Sequence, residues 1–152
     1  MIIVTPQGHF RARQSEWIVS AIICAWGLVL LHPAETFNGS NFGWFASSGV
    51  PEAVWGVVFL LVGSFRIIGL IINGRRATIT SWMRFTSSSC GFFLFLITSI
   101  GFIASGVPST SWAVYPLLAA SEAVNIYFSM IDAGAAQRKS QVARQRNAHI
   151  RS

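Results

Sequence analysis

PEAVWGVVFLLVGSFRIIGLIINGRR, residues 51–76, decides the class of this chain. From Pro51 to Ile72 the side chains are almost wholly apolar. At about 1.5 Å per residue, that run is long enough to cross the roughly 30 Å hydrocarbon core of a bilayer as a helix. Arg66 interrupts the run, and Arg75 and Arg76 close it. A guanidinium at that depth must meet a carboxylate, snorkel or face water, which makes Arg66 the first candidate functional residue.

Composition agrees with this reading. The 152 residues are 53% hydrophobic and 11% charged, against about 25% charged in ordinary soluble domains. An integral membrane protein is expected. The formal net charge is +6, but where the charges lie is more informative than their sum. Of eleven Lys and Arg, all but Arg66 fall outside the apolar runs. Cys24 and Cys90 sit inside apolar segments and read as small buried thiols with no disulfide framework.

Outward from the opening stretch, three further apolar segments follow the same logic. Residues 1–16 form a cytoplasmic tail with Arg11 and Arg13, and residues 17–31 the first helix, extending back to about Gln14. A basic stretch before a short apolar run also describes a signal peptide. His32-Pro33-Ala34-Glu35 offers no small-x-small cleavage site, so a retained anchor is expected. The loop to Gly49 carries Phe37, Phe42, Trp44 and Phe45 without a cation, a pattern that suggests a segment resting on the outer interface. The second helix is read over 51–72, the third over 85–105 and the fourth over 112–131, with 132–152 a basic, solvated cytoplasmic tail. The segment 17–131 is thus an all-α, integral membrane four-helix bundle of two helical hairpins. The first tail, the central loop and the last tail hold every other cation, and the two remaining loops hold none. The positive-inside rule therefore predicts an N-in, C-in protein. Arg75, Arg76, Arg84, Arg138, Lys139, Arg144 and Arg146 are the orienting residues, facing anionic headgroups.

Ser48-Gly49-Val50-Pro51 recurs as Ser105-Gly106-Val107-Pro108, each followed by a tryptophan, Trp55 and Trp112, at a common offset of 57. Duplication of a hairpin is one explanation; the preferred one is that both are outer-side entries into a helix, where small residues, proline and tryptophan are all favoured. Under that offset Arg66 corresponds to Ala123, next to Glu122. Two ions of opposite sign at similar depth on parallel helices can pair, which relieves the cost of burying each.

Tyr115, Glu122, Asn125, Ser129 and Asp132 recur at helical spacing and form a polar stripe on the fourth helix. Gly56 and Gly63 make a thin face on the second, and Ser87 and Gly91 permit close approach on the third. The bland reading is a buried, hydrogen-bonded network that fixes packing. The functional readings are a water-lined or ion-conducting path, an oligomerisation seam, or a protonation switch at Glu122.

His9, His32 and His149 assemble into no nucleophile, base and orienter set, and no metal-ligand spacing or phosphate-binding motif occurs. No enzyme and no cofactor are expected. With the Trp55-Gly56 opening, Arg66, the Asn73-Gly74-Arg75 turn and the basic C-terminal tail, the chain resembles small multi-span proteins of tailed bacteriophages and prophages, many of them holin-like. The resemblance implies a bacterial inner-membrane protein that oligomerises and permeabilises, the polar stripe and the Gly56/Gly63 face lining subunit contacts. A scaffold or accessory subunit of a larger membrane complex, or a small channel or transporter, is the alternative. The expected partners are anionic lipid and a second copy or another membrane protein; nucleic acid is not.

Overall fold

The computed structural model describes residues 14–72 and 77–151, and among these the chain is all-helical, with no strand. The described residues form five helices in order: α1 (Gln14–Leu30), the short α2 (Gly43–Ser47), α3 (Glu52–Ile72), α4 (Ala77–Ala104) and α5 (Ser111–Arg151). Two 3-10 turns, Thr36–Asn38 and Ser40–Phe42, lie between α1 and α2. Three segments, Glu52–Ile72, Trp82–Ala104 and Ser111–Val142, are long and apolar enough to cross a membrane. α1 is apolar but only 17 residues long.

Two boundaries differ from the sequence expectation. α4 starts at Ala77 rather than near Phe85, and α5 runs to Arg151 rather than ending near Ile131. Residues 132–151 are rich in Ala, Gln and Arg, good helix formers, with only Gly134 opposing them. A helix already nucleated upstream propagates through such a sequence without an amphipathic face to stabilise it. Pro116 is the sixth residue of α5, past the free N–H groups of its start, so it leaves the Trp112 carbonyl without its i→i−4 donor.

The repeated Ser-Gly-Val-Pro has a local cause. Gly49 and Gly106 are the two described residues with positive φ, +72° and +71°. Each ends a helix in the left-handed conformation that glycine adopts without penalty, and the proline two residues on blocks resumption until the next helix.

α1 packs along α3, α4 along α5, and α3 also contacts α4. The first pair is antiparallel and close. A Cβ on Gly27 would lie 2.7 Å from the Leu60 backbone nitrogen, and one on Gly63 would lie 2.9 Å from that of Cys24. The thin Gly56/Gly63 face is therefore filled by α1. In the second pair Phe102 stacks on Tyr115, ring centroids 5.0 Å apart, at one end, while Arg84 reaches Asp132 at the other.

The loop aromatics pack against the helices, with Phe37, Phe42 and Trp44 half-buried. Phe45 is buried, and with Phe37 and Phe42 it packs against Trp26, Phe59, Phe102 and Tyr115. Gly101 makes room: a Cβ there would sit 2.6 Å from the Phe45 ring. Glu52 holds the loop down by accepting the backbone N–H groups of Thr36 and Phe37 at 3.0 and 3.1 Å, and the Trp44 N–H donates to Ser105 Oγ at 3.1 Å. Clustering seven rings removes more apolar surface from water than a superficial placement would.

Candidate functional site

Arg66 projects from α3 towards Glu122 on α5. Its Nη1 donates to Glu122 Oε1, and the two side chains are 2% and 0% exposed. Asn125, one turn along α5, donates from Nδ2 to Glu122 Oε2 at 3.2 Å. The third wall is Gly91 of α4, where a Cβ would come within 2.9 Å of Glu122 Oε1 and 3.0 Å of Arg66 Nη1. Any larger residue would displace one of the paired groups. Arg66 Nη2 is buried without a hydrogen-bond partner, so the guanidinium is only partly satisfied by protein groups.

A second ionic cluster lies further along the same helices, towards the α4 start. Arg84 donates from Nε to Glu16 Oε2 at 3.0 Å and from Nη2 to Glu16 Oε1, a bidentate pairing, and from Nη1 to Asp132 Oδ2 at 2.6 Å. Glu16 and Arg84 are buried, whereas the Asp132 side chain is 49% exposed. One guanidinium thereby ties α1, α4 and α5 together, the planar fork serving two carboxylates at once.

Small hydroxyls surround both clusters. Ser20 donates to the Glu16 carbonyl at 2.6 Å, Ser87 to the Arg84 carbonyl at 3.1 Å and Ser129 to the Asn125 carbonyl at 2.8 Å. Each spends its proton on its own helix, the usual solution for a buried hydroxyl. The polar interior thus runs from half-exposed Asp132 to Arg66 and Glu122. Beyond them it gives way to the aromatic cluster of Trp26, Phe45, Phe59 and Phe102.

The structure brings together Arg66, Glu122, Asn125 and Gly91, and it buries Tyr115, Ser87 and Ser129 nearby. Two expected roles need correction. Arg84, read as a headgroup residue, turns inward, because Glu16 and Asp132 give its charge better compensation than lipid. The Gly56/Gly63 face, read as a subunit contact, is covered by α1 of the same chain, and Tyr115, Glu122, Asn125 and Ser129 of the polar stripe are buried within it, whereas Asp132 stays half exposed. Arg138 is exposed; Arg75 and Arg76, and the side chains of Lys139, Arg144 and Arg146, lie outside the described residues. Sequence reasoning missed Glu16. The signal was its position, since Glu16, Arg84 and Asp132 each stand where an apolar segment meets the same predicted side.

Chemically, the arrangement neutralises buried charge and locks helices. Among the described residues no group of three or more His, Cys, Asp or Glu is placed to hold a metal ion. Compared with protein-family models, curated proteins and solved structures, the chain matches none.

Proposed function

We propose that this chain is a non-enzymatic protein of a bacterial inner membrane. Four helices span the bilayer as a bundle, both ends are cytoplasmic, and the protein acts by association, as a scaffold or accessory subunit. One observation carries the reading: Arg66, Arg84, Glu16, Glu122 and Asp132 are all paired inside one chain, while α5 continues well past the apolar region as a basic helix. The aromatic cluster of Trp26, Phe45, Phe59 and Phe102 fills the interior beyond the Arg66 pair, which favours a packed bundle over a water-lined path. Purification in mild detergent tests the proposal. A stoichiometric unrelated partner is expected, and a strictly solitary protomer that retains nothing would refute it.

The phage-type, holin-like reading is the second. It draws on the apolar sides of α3 and α5, where Leu61 and Leu117 are 65% and 70% exposed and offer in-plane contacts between copies. Its test is expression in bacteria: abrupt loss of membrane potential supports it, and continued growth with an intact potential removes it.

A further inference from the structure

Among the described residues, α5 outruns α1 and α4, the helices packed against its far half. Arg84 of α4 faces Asp132, so the start of α4 at Ala77 lies level with roughly residue 139 of α5 by equal rise along antiparallel helices. Past that level the described Ser140, Gln141, Val142 and Gln145 are exposed. The helix carries Arg138, Lys139, Arg144, Arg146 and Arg151, and residues 133–152 contain no acid.

The length of the arm separates its cations into two sets. Arg138 and Lys139 stand about 10 Å beyond Asp132, within reach of headgroups, but Arg144 and Arg151 stand about 18 and 28 Å beyond it. A bilayer's surface potential decays over a Debye length of about 8 Å. With the bilayer boundary set at Asp132, where the run of large apolar residues ends, the distal cations of a continuous helix stand beyond the range of the surface potential.

Helical register arranges four of the five cationic positions in two rows, with Arg138 on a third side about 100° from position 139. Positions 139 and 146 are seven apart, as are 144 and 151, so each pair shares a side, and the two sides lie roughly 140° from one another. An acidic protein face would engage one row. The two phosphate rows that flank a major groove about 12 Å wide engage both, with a helix of about 10–12 Å diameter seated between them. Gln141, Gln145 and Asn147 add uncharged hydrogen-bonding groups.

We propose that residues 138–151 of α5 are an arm that binds duplex DNA through its phosphates, without sequence preference, and holds it at the membrane. The proposal rests on the membrane reading above for the distance to the headgroups. The test uses the full chain in nanodiscs of purely zwitterionic lipid, with fluorescence anisotropy of a labelled 20-base-pair duplex. If three to five phosphates are contacted, affinity falls by roughly 40- to 500-fold between 50 and 200 mM salt. The Arg144→Gln/Arg146→Gln/Arg151→Gln variant should flatten the slope of log K against log salt by roughly 2.7, with the gel-filtration profile unchanged. Three results overturn the arm: no duplex binding at 50 mM salt, a distal triple variant with unchanged slope, or displacement by polyglutamate as effective as by unlabelled duplex. A distal triple variant that weakens binding to phosphatidylserine vesicles but not to DNA overturns it too. Failure of the membrane reading is separately visible, as a chain that does not incorporate into nanodiscs before any DNA is added.

Discussion

Arg66 and Glu122 are buried ions that offset part of each other's cost, with Asn125 adding a hydrogen bond to Glu122. Removing one partner strands the other, so Arg66→Ala should destabilise the chain by about 3–5 kcal/mol, whereas Arg66→Met with Glu122→Leu should come close to neutral. Thermal unfolding in detergent measures both; a single variant as stable as the parent would end the account. Arg84 makes a different prediction for each of its carboxylates. Glu16 is buried beside it and Asp132 is half exposed. Solvent screens the exposed partner, so Asp132→Asn should cost less than about 1 kcal/mol, while Arg84→Met strands Glu16 and should cost about 3 kcal/mol or more. Equal losses in the two variants would contradict the geometry. The Arg66 pair was legible in sequence because both ions interrupt apolar runs at matching depth. The Arg84 cluster was not read because charges at segment ends are ordinarily solvated, and only packing shows which way they turn.

At the scale of elements, the α1–α3 contact depends on missing side chains. A Cβ on Gly63 would approach Cys24 Sγ to 2.5 Å and the Cys24 backbone nitrogen to 2.9 Å. Gly63→Ala should therefore destabilise by about 1–3 kcal/mol through overpacking. Adding Cys24→Ala should restore little, because the backbone nitrogen stays in place; full recovery would show that only the thiol was in the way. The glycine pair on α3 was visible as a thin face, but its occupant was not, since small residues serve neighbours within and between chains alike. The extent of α5 was hidden for another reason. Its last third has no apolar periodicity, and helix formation there depends on propagation from an apolar segment rather than on a buried face.

For the whole molecule, the testable property is orientation. In a chain with Cys24 and Cys90 replaced, Thr110→Cys lies in the short connection before α5 and Gln141→Cys on its far extension, both at exposed positions. A membrane-impermeant maleimide applied to spheroplasts should label Thr110→Cys at once and Gln141→Cys only after lysis. The reverse pattern would place both ends outside and would also take the DNA-binding arm away from the cytoplasm.

The amino-acid sequence by itself determined that residues 51–72 make a membrane-length helix, that Arg66 needs an anion, and that cations cluster on alternate connections. Each of these follows from local hydropathy and the cost of moving charge out of water. Only the tertiary structure decided that Glu16 and Asp132 share Arg84, that α1 fills the glycine face, and that the loop aromatics pack over Gly101. Those outcomes depend on which surfaces face one another, and side-chain spacing along a single helix does not encode the identity of its neighbour. In residues 51–76, Arg66 is one of two guanidiniums that hold the helices in place, and Gly56 and Gly63 pack against α1.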